Sequence, residues 1–484
     1  MGFAFIYTLI LIFASKHNLM KKKQILSLLL SLLVAGNILA QEEGTITPKM
    51  LARFNKTYQL TPKNRAASNA MLHNEINKLV GNMENQGEGD TYFSHRVKTK
   101  GITDQESSGR CWLFASLNVM RPKVIEKYNL KNFEFSQNYN YFFDQLEKAN
   151  LFLEGIIESR KDPLNDRRVE WLLKNVINDG GVWNGYVNMA KKYGVVPSEV
   201  MPETYTSNHT RTLNKLIRRK LREDALQIRD MAERGEGLKP IRKAKEQMLQ
   251  EIYNMLALTL GEPPTQFTWR YRDADDNISE AKSYTPLSFY EEFVGVDLDD
   301  YVMLMNDPTR PYNTLYEIDY DRNALEGINW VFINLPNEKI KDFAIKSIKD
   351  NEAMYFSCDV GKQLDREEGS LDVHNFDYES LMGVSFGMDK KERILTFESG
   401  SSHGMTLVAV DLNQEGKPTK WLLENSWGAS NGFEGHLIMT DEWFDEYMFR
   451  VVINKKYIDP EILKILKTSP VLLPPWDPMF NPAH

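Results

Sequence analysis

Apolar residues change their spacing along this chain. In the first half they recur every three to four positions, the period of a helix that buries one face. Leu72, Ile76, Leu79 and Val80 are spaced this way, as are Leu213, Leu216, Ile217 and Leu221, and the apolar-rich segments Phe133 to Phe152 and Val169 to Ile177 read as helices too. Cys111 opens the run Trp112-Leu113-Phe114-Ala115, which continues through Leu117 and Val119. It predicts a buried helix starting at the cysteine and bent or ended near Pro122, because proline lacks the donor that a helix interior uses. From about Ala353 the pattern shortens to β-branched and aromatic runs between turn residues: Met354 to Cys358, Leu381 to Phe386, Ile394 to Phe397, Met405 to Val410, Trp421 to Glu424 and Gly435 to Met439. These predict strands of an antiparallel sheet or barrel. The fold class is therefore α+β, helices first and strands last.

The N-terminus carries an address. Lys21-Lys22-Lys23, the apolar run Ile25 to Val34, and Ile38-Leu39-Ala40 before Gln41 follow the order of a secretory signal peptide, with cleavage after Ala40. Met20, directly before the lysines, is a candidate start. Each apolar run, including Phe3 to Phe13, is shorter than the ~20 residues of a membrane span. The expectation is an exported chain that is soluble once cleaved, with a cytoplasmic location as the alternative. Residues 1–40 are then the signal region, 41–98 a lead-in packing on the core, and 99–484 the main domain, with a helical insertion at about 200–265.

Composition narrows the function. Of 484 residues, 42% are hydrophobic and 26% charged, which excludes a disordered or multi-span membrane chain. A net charge of -8 gives no overall pull toward nucleic acid. Locally, Arg211 to Lys245 is rich in Lys and Arg, as either a solvated helix pair or a nucleic-acid or other polyanion surface. Two cysteines, Cys111 and Cys358, cannot build a disulfide framework, and no HExxH or Cys/His cluster is present, so neither metal nor cofactor is called for.

The chemistry concentrates at two places. In Gln105-Glu106-Ser107-Ser108-Gly109-Arg110-Cys111-Trp112, a thiol at the first turn of a helix meets the positive end of the helix dipole, which favours its thiolate. Gly109 lets backbone pass close to a substrate, and the Gln105 amide, six residues upstream, can donate to an oxyanion. Far along the chain, His403 stands at the start of a strand, and Asn425 follows 22 residues later, ahead of Ser426-Trp427-Gly428. An Asn oxygen can accept from one ring N–H and fix the tautomer, leaving the other nitrogen for the thiol, while an indole keeps water off that bond. Cys358 reads as a core thiol in a strand.

These residues resemble the papain-like cysteine peptidases, and more narrowly the bleomycin hydrolase and aminopeptidase C group. The resemblance extends to Phe133-Glu134-Phe135-Ser136-Gln137-Asn138-Tyr139, Asp179-Gly180-Gly181, Lys192-Tyr193-Gly194-Val195-Val196-Pro197, Cys358-Asp359-Val360-Gly361-Lys362 and Trp476-Asp477-Pro478-Met479. It covers roughly Met50 to the C-terminus. It implies a two-lobed fold, a helical lobe carrying Cys111 and a barrel-like lobe carrying His403 and Asn425, with Gln105 in the oxyanion hole. It also implies peptide substrates, a homo-hexamer, Gly180, Gly181 and Trp427 at the substrate, and a C-terminal tail, 476–484, that gates the cleft through Asn481, Pro482, Ala483 and His484. Two departures stand out: Phe480-Asn481-Pro482-Ala483-His484 replaces the group's usual small terminal residues, and Gly404 follows His403 where alanine is more usual.

Rival readings make different demands. Gly400-Ser401-Ser402-His403-Gly404 fits G-x-S-x-G, which would make Ser402 a nucleophile, but that motif needs a helix next and the sequence predicts a strand. An endopeptidase of the same fold would cut N-blocked peptides. A non-catalytic scaffold on a peptidase fold would hold Cys111 unreactive.

Overall fold

The computed structural model describes residues 44–85 and 90–480, so the signal-peptide reading and the tail residues Asn481 to His484 lie outside the described residues. The chain divides into two compact units, one ending at Leu79 and one beginning at Val80. In the first, helices α1 (Pro48–Thr57) and α2 (Pro62–His73) each begin with proline after a threonine. The pairing has a simple cause. Proline gives up an N–H that has no helical partner anyway, and the threonine hydroxyl satisfies one that remains, on Met50 and Asn64 respectively.

In the second unit, α3 (Cys111–Lys127) is buried along nearly its whole length. It runs through Pro122 without ending there, contrary to the sequence expectation. Packing on all sides outweighs the roughly 3 kcal/mol that an internal proline costs. Helix α4 (Gln137–Glu158) begins later than Phe133 because the Ser136 hydroxyl caps the Tyr139 N–H at 3.1 Å. Next come α5 (Arg167–Lys174), α6 (Trp183–Tyr193) and the long pair α7 (Arg211–Glu233) and α8 (Leu238–Leu260). Leu213, Ile217 and Leu221 are buried on α7, but Leu216 faces outward. The basic excess here is largely engaged within the fold. Lys220 pairs with Asp224 and Glu251, Arg242 and Lys245 both pair with Glu154, and the Arg229 guanidinium donates to the Ser159 carbonyl.

One twelve-stranded sheet organises the rest. Its strands are β1 (His95–Arg96), β4 (Tyr301–Met305), β5 (Thr314–Ile318), β6 (Trp330–Asn334), β7 (Met354–Cys358), β8 (Leu364–Asp365), β9 (Ser370–Leu371), β10 (His403–Leu412), β11 (Pro418–Glu424), β12 (His436–Thr440), β13 (Met448–Asn454) and β14 (Val471–Leu473); β2 (Phe267–Trp269) and β3 (Lys282–Tyr284) form a separate pair. The order is β14-β5-β6-β4-β13-β7-β10-β11-β12-β9-β8, with β1 on the far end of β10. Two expectations are corrected. The sheet is mixed, since β4 with β6, β5 with β14 and β9 with β12 run parallel. Strands also enter before the C-terminal third, at β4 to β6.

Two of the predicted strands are not strands. Residues 381–386 contain the end of α9 (Tyr378–Met382), and 394–397 the end of α10 (Lys390–Leu395). Asp389 and Glu392 form a capping box that starts α10, a signal the apolar spacing obscured.

The sheet separates two hydrophobic cores, and period-two alternation assigns each residue to one. Met303, Met305, Tyr355 and Val452 face the helical side with Trp112 and Tyr186; Leu304, Met354, Phe356 and Val451 face the other side with Phe343 and Trp443. Helix α3 lies along β10, where the Thr406 hydroxyl donates to the Ala115 carbonyl at 3.3 Å. A buried ion pair, Arg121 with Glu424 at 2.6 Å, ties the same helix to β11. Two segments distant in sequence are thereby held side by side, and their ends make the site.

Candidate active site

Cys111 is the first residue of α3 and a free, partly exposed thiol. The loop before it is held from three directions. The Gly109 N–H donates to the Asp179 carboxylate at 2.7 Å, and a Cβ on Gly109 would fall 2.6 Å from an Asp179 oxygen, so only glycine fits. The buried Arg110 pairs with Glu203 at 2.8 Å and lies over the rings of Phe114 and Tyr141. The Trp112 indole N–H donates to the Asp179 carbonyl at 2.8 Å.

His403 opens β10, and its neighbour makes the junction. The Gly404 and Trp112 N–H groups both hydrogen-bond the Cys111 sulfur. A Cβ on Gly404 would come 3.3 Å from the Trp112 Cα and 2.9 Å from the Tyr355 hydroxyl. Glycine at 404 thus lets the start of the helix close onto the start of the strand. The thiol and the imidazole are brought to one end of the α3–β10 pair.

The imidazole is oriented by Asn425. His403 Nε2 and Asn425 Oδ1 are 2.8 Å apart, and the same oxygen accepts from the Ser426 N–H at 2.8 Å. An oxygen already accepting from a backbone donor requires the ring to donate as well, so the proton belongs on Nε2 and Nδ1 keeps its lone pair. The Trp427 ring lies 4.9 Å from the His403 ring, and the Arg366 guanidinium sits 4.7 Å from the Trp427 ring centre. His403 is only 7% exposed.

Burial dominates the electrostatics. It pushes the Cys111 thiol up, against the two N–H donors. It pushes His403 down to about 4, against the Asn425 hydrogen bond. Each charge alone is disfavoured; formed together by moving one proton from sulfur to ring, each offsets the other.

Gln105 is buried and locked to the same segment. Its backbone N–H donates to the Ser426 carbonyl at 2.8 Å, its Oε1 accepts from the Ser426 hydroxyl at 2.6 Å, and its Nε2 donates to the Ser108 carbonyl at 2.6 Å. One N–H of that amide remains. Gly181 packs beneath Trp112, where a Cβ would meet the indole at 2.7 Å, and Gly180 borders a cavity beside it. Gln105, Cys111, His403, Asn425 and Trp427 therefore converge, with Gly180 and Gly181 adjoining; Ala483 and His484 lie outside the described residues. Asp179, Arg110, Glu203 and Arg366 were not singled out from sequence. Only the charge next to glycine in Asp179-Gly180 could have suggested one of them.

The decoys resolve. Ser402 is followed by strand β10, not a helix, and its hydroxyl accepts from the Val360 N–H. Cys358 sits fully buried in β7, its thiol pushed well up by burial.

A helix-borne thiol set against a strand-borne imidazole and its amide partner is the arrangement of a papain-like cysteine peptidase. The comparisons agree. A model of the Peptidase C1-like family matches residues 45–480. The chain is 39% identical to aminopeptidase C of Streptococcus thermophilus over 88% of its own length and 96% of that protein's. It is 42% identical to human bleomycin hydrolase over 80% and 88% respectively. The crystal structure of PepW from Lactobacillus rhamnosis superposes with a TM-score of 0.88 at 40% identity, covering 91% of this chain and 99% of that one. The chain belongs to the Peptidase C1-like family.

Proposed function

We propose that the chain is a cysteine aminopeptidase in which Cys111 is the nucleophile, His403 the acid and base, Asn425 its orienting partner and Gln105 an oxyanion donor. The observation that carries the assignment is the His403–Asn425 hydrogen bond of 2.8 Å beside a free thiol at a helix start. His403 Nδ1 takes the thiol proton as sulfur bonds to the scissile carbonyl carbon. The resulting oxyanion is held by the remaining Gln105 N–H and the Cys111 N–H. The tetrahedral adduct expels the amine, which leaves with the proton from Nδ1. Water then attacks the thioester, giving one proton to Nδ1, and the carboxylate departs as that proton returns to sulfur.

Removal of N-terminal residues fits relatives named aminopeptidase and bleomycin hydrolase. The test is digestion of one peptide in unblocked and N-acetylated forms, with the full chain and with residues 481–484 removed. Selective cleavage of the unblocked form supports the exopeptidase reading, and loss of selectivity on truncation supports gating by the tail. Equal cleavage by the full chain would make it an endopeptidase. A folded chain whose Cys111 resists iodoacetamide would instead be a scaffold.

Assembly into a homo-hexamer is supported by exposed apolar side chains between residues 382 and 397: Val384, Phe386, Leu395 and Phe397 are all more than half exposed. Sedimentation of the wild type and of Phe386→Glu tests it; a monomeric wild type would refute it. Export is supported by the basic, apolar and small-residue order of residues 21–40. N-terminal sequencing of the mature protein tests that, with a start at Gln41 expected and a start at Met1 or Met20 refuting cleavage.

A further inference from the structure

Beside the site lies a cavity of about 210 Å³ bordered by Gly180, Val182, Asn184, Tyr320, Asp321 and Phe480. It adjoins the nucleophile through Trp112: a Cβ on Gly185, another lining residue, would meet that indole at 3.3 Å, and Lys148, also on the wall, holds its ammonium 5.4 Å from the indole centre. The wall is built rigidly. The Asp321 carbonyl accepts from the Asn184 side chain at 2.9 Å and from the Trp330 N–H at 2.9 Å, which fixes the backbone at the turn after β5.

The Asp321 side chain is the odd member. Among the described residues its carboxylate has no hydrogen bond and no ion pair, although it is only partly exposed. Burial raises it to about 6, so at neutral pH an anion stands in the cavity wall without a partner. The cations nearby are committed elsewhere. Lys148 pairs with Asp144 at 2.7 Å and donates to the Asn178 and Gly180 carbonyls. Arg322 donates to Asn329 at 2.7 Å, and Arg450 is stacked on Trp330 at 3.7 Å. The Tyr355 phenol is acted on by charge at both Asp321 and Cys111, which places the carboxylate within electrostatic reach of the reacting sulfur. An anion left unpaired in a half-closed pocket is a receptor for a cation, because the ligand supplies the missing charge-assisted hydrogen bond.

We propose that Asp321 binds the cationic group of the substrate, the α-ammonium of the residue to be removed. This rests on the aminopeptidase reading and names the group that reads the free amine. The same chemistry could come from a Lys or Arg side chain at the first position, and the substrates separate the two. Wild type, Asp321→Asn and Asp321→Glu are assayed on three peptides: one with a free amine and alanine first, its N-acetylated copy, and one with a free amine and lysine first. Asp321→Asn should raise KM for both free-amine peptides about ten- to hundredfold with kcat little changed, leave the acetylated peptide unaffected, and be partly reversed in Asp321→Glu. The rate of Cys111 alkylation by iodoacetamide should match wild type, since the substitution touches binding alone. A KM rise confined to the lysine-first peptide would overturn the α-ammonium assignment in favour of a side-chain subsite. Unchanged KM on all three would overturn the proposal outright. A wild type that cleaves the acetylated peptide as well as the free one would instead refute the aminopeptidase reading.

Discussion

Replacing Asn425 with alanine removes one oxygen on which two buried donors depend, His403 Nε2–H and the Ser426 N–H. The amide does no bond-making. Its contribution is to stabilise the imidazolium that forms when the thiol gives up its proton and to keep Nδ1 free as the base. A hydrogen bond to a charged group is worth about 1.5 to 3 kcal/mol, which corresponds to a loss in kcat/KM of about 10- to 150-fold. His403→Ala removes the proton carrier itself, and about 10⁴-fold or more should be lost. The assay is hydrolysis of a fluorogenic aminoacyl amide by both variants, with rates normalised to chains whose circular dichroism matches wild type. Because the Asn425 hydrogen bond raises the proton affinity of His403, the acid limb of the rate profile should also move to lower pH in Asn425→Ala. Equal losses for the two variants, or an acid limb that moves upward, would refute these roles.

Gly404→Ala should destabilise the fold by about 1 to 3 kcal/mol and slow acylation, because its Cβ would stand 2.9 Å from the Tyr355 hydroxyl and 3.3 Å from the Trp112 Cα. Adding Tyr355→Phe should recover part of the stability, measured by urea denaturation; no recovery would show that the clash lies with the helix alone. Cys358→Ser should keep its activity and lose about 1 to 3 kcal/mol of stability, since it places a hydroxyl in a dry core strand; loss of turnover in a folded variant would contradict its role as core. His403 is held down to about 4 by burial, whereas an unfolded histidine titrates near 6.5. Between those values the unfolded chain binds the proton and the native chain does not. Wild type should therefore lose about 3 kcal/mol more than His403→Gln as pH falls from about 6.5 to 4, and parallel stability curves would refute the depressed value.

The reacting groups were legible in the sequence because each carries its own local signal: a cysteine at a helix start, a histidine at a strand start, an asparagine ahead of Ser426-Trp427-Gly428. Their supports were not. Asp179 and Glu203 act by reaching across the fold to Gly109 and Arg110, and nothing in their own neighbourhoods marks that reach. The α+β class and four of the six C-terminal strands follow from spacing, since both faces of those strands are buried. Residues 381–386 and 394–397 misled because short apolar runs do not distinguish a strand from the end of a capped helix, and Phe386 and Phe397 are exposed rather than paired. Parallel pairing of β4 with β6 was invisible for a different reason: the choice is made by topology.

The junction of α3 with β10 has a consequence for biogenesis. A ribosome delivers the sulfur of Cys111 hundreds of residues before the ring of His403, and β10 is the strand against which that helix start closes. A half-made chain holds a thiol with no proton acceptor and a loop with no Ser426 to anchor Gln105. Translation order therefore keeps the nascent molecule harmless to itself and to its neighbours, without a removable inhibitory segment being needed for that interval.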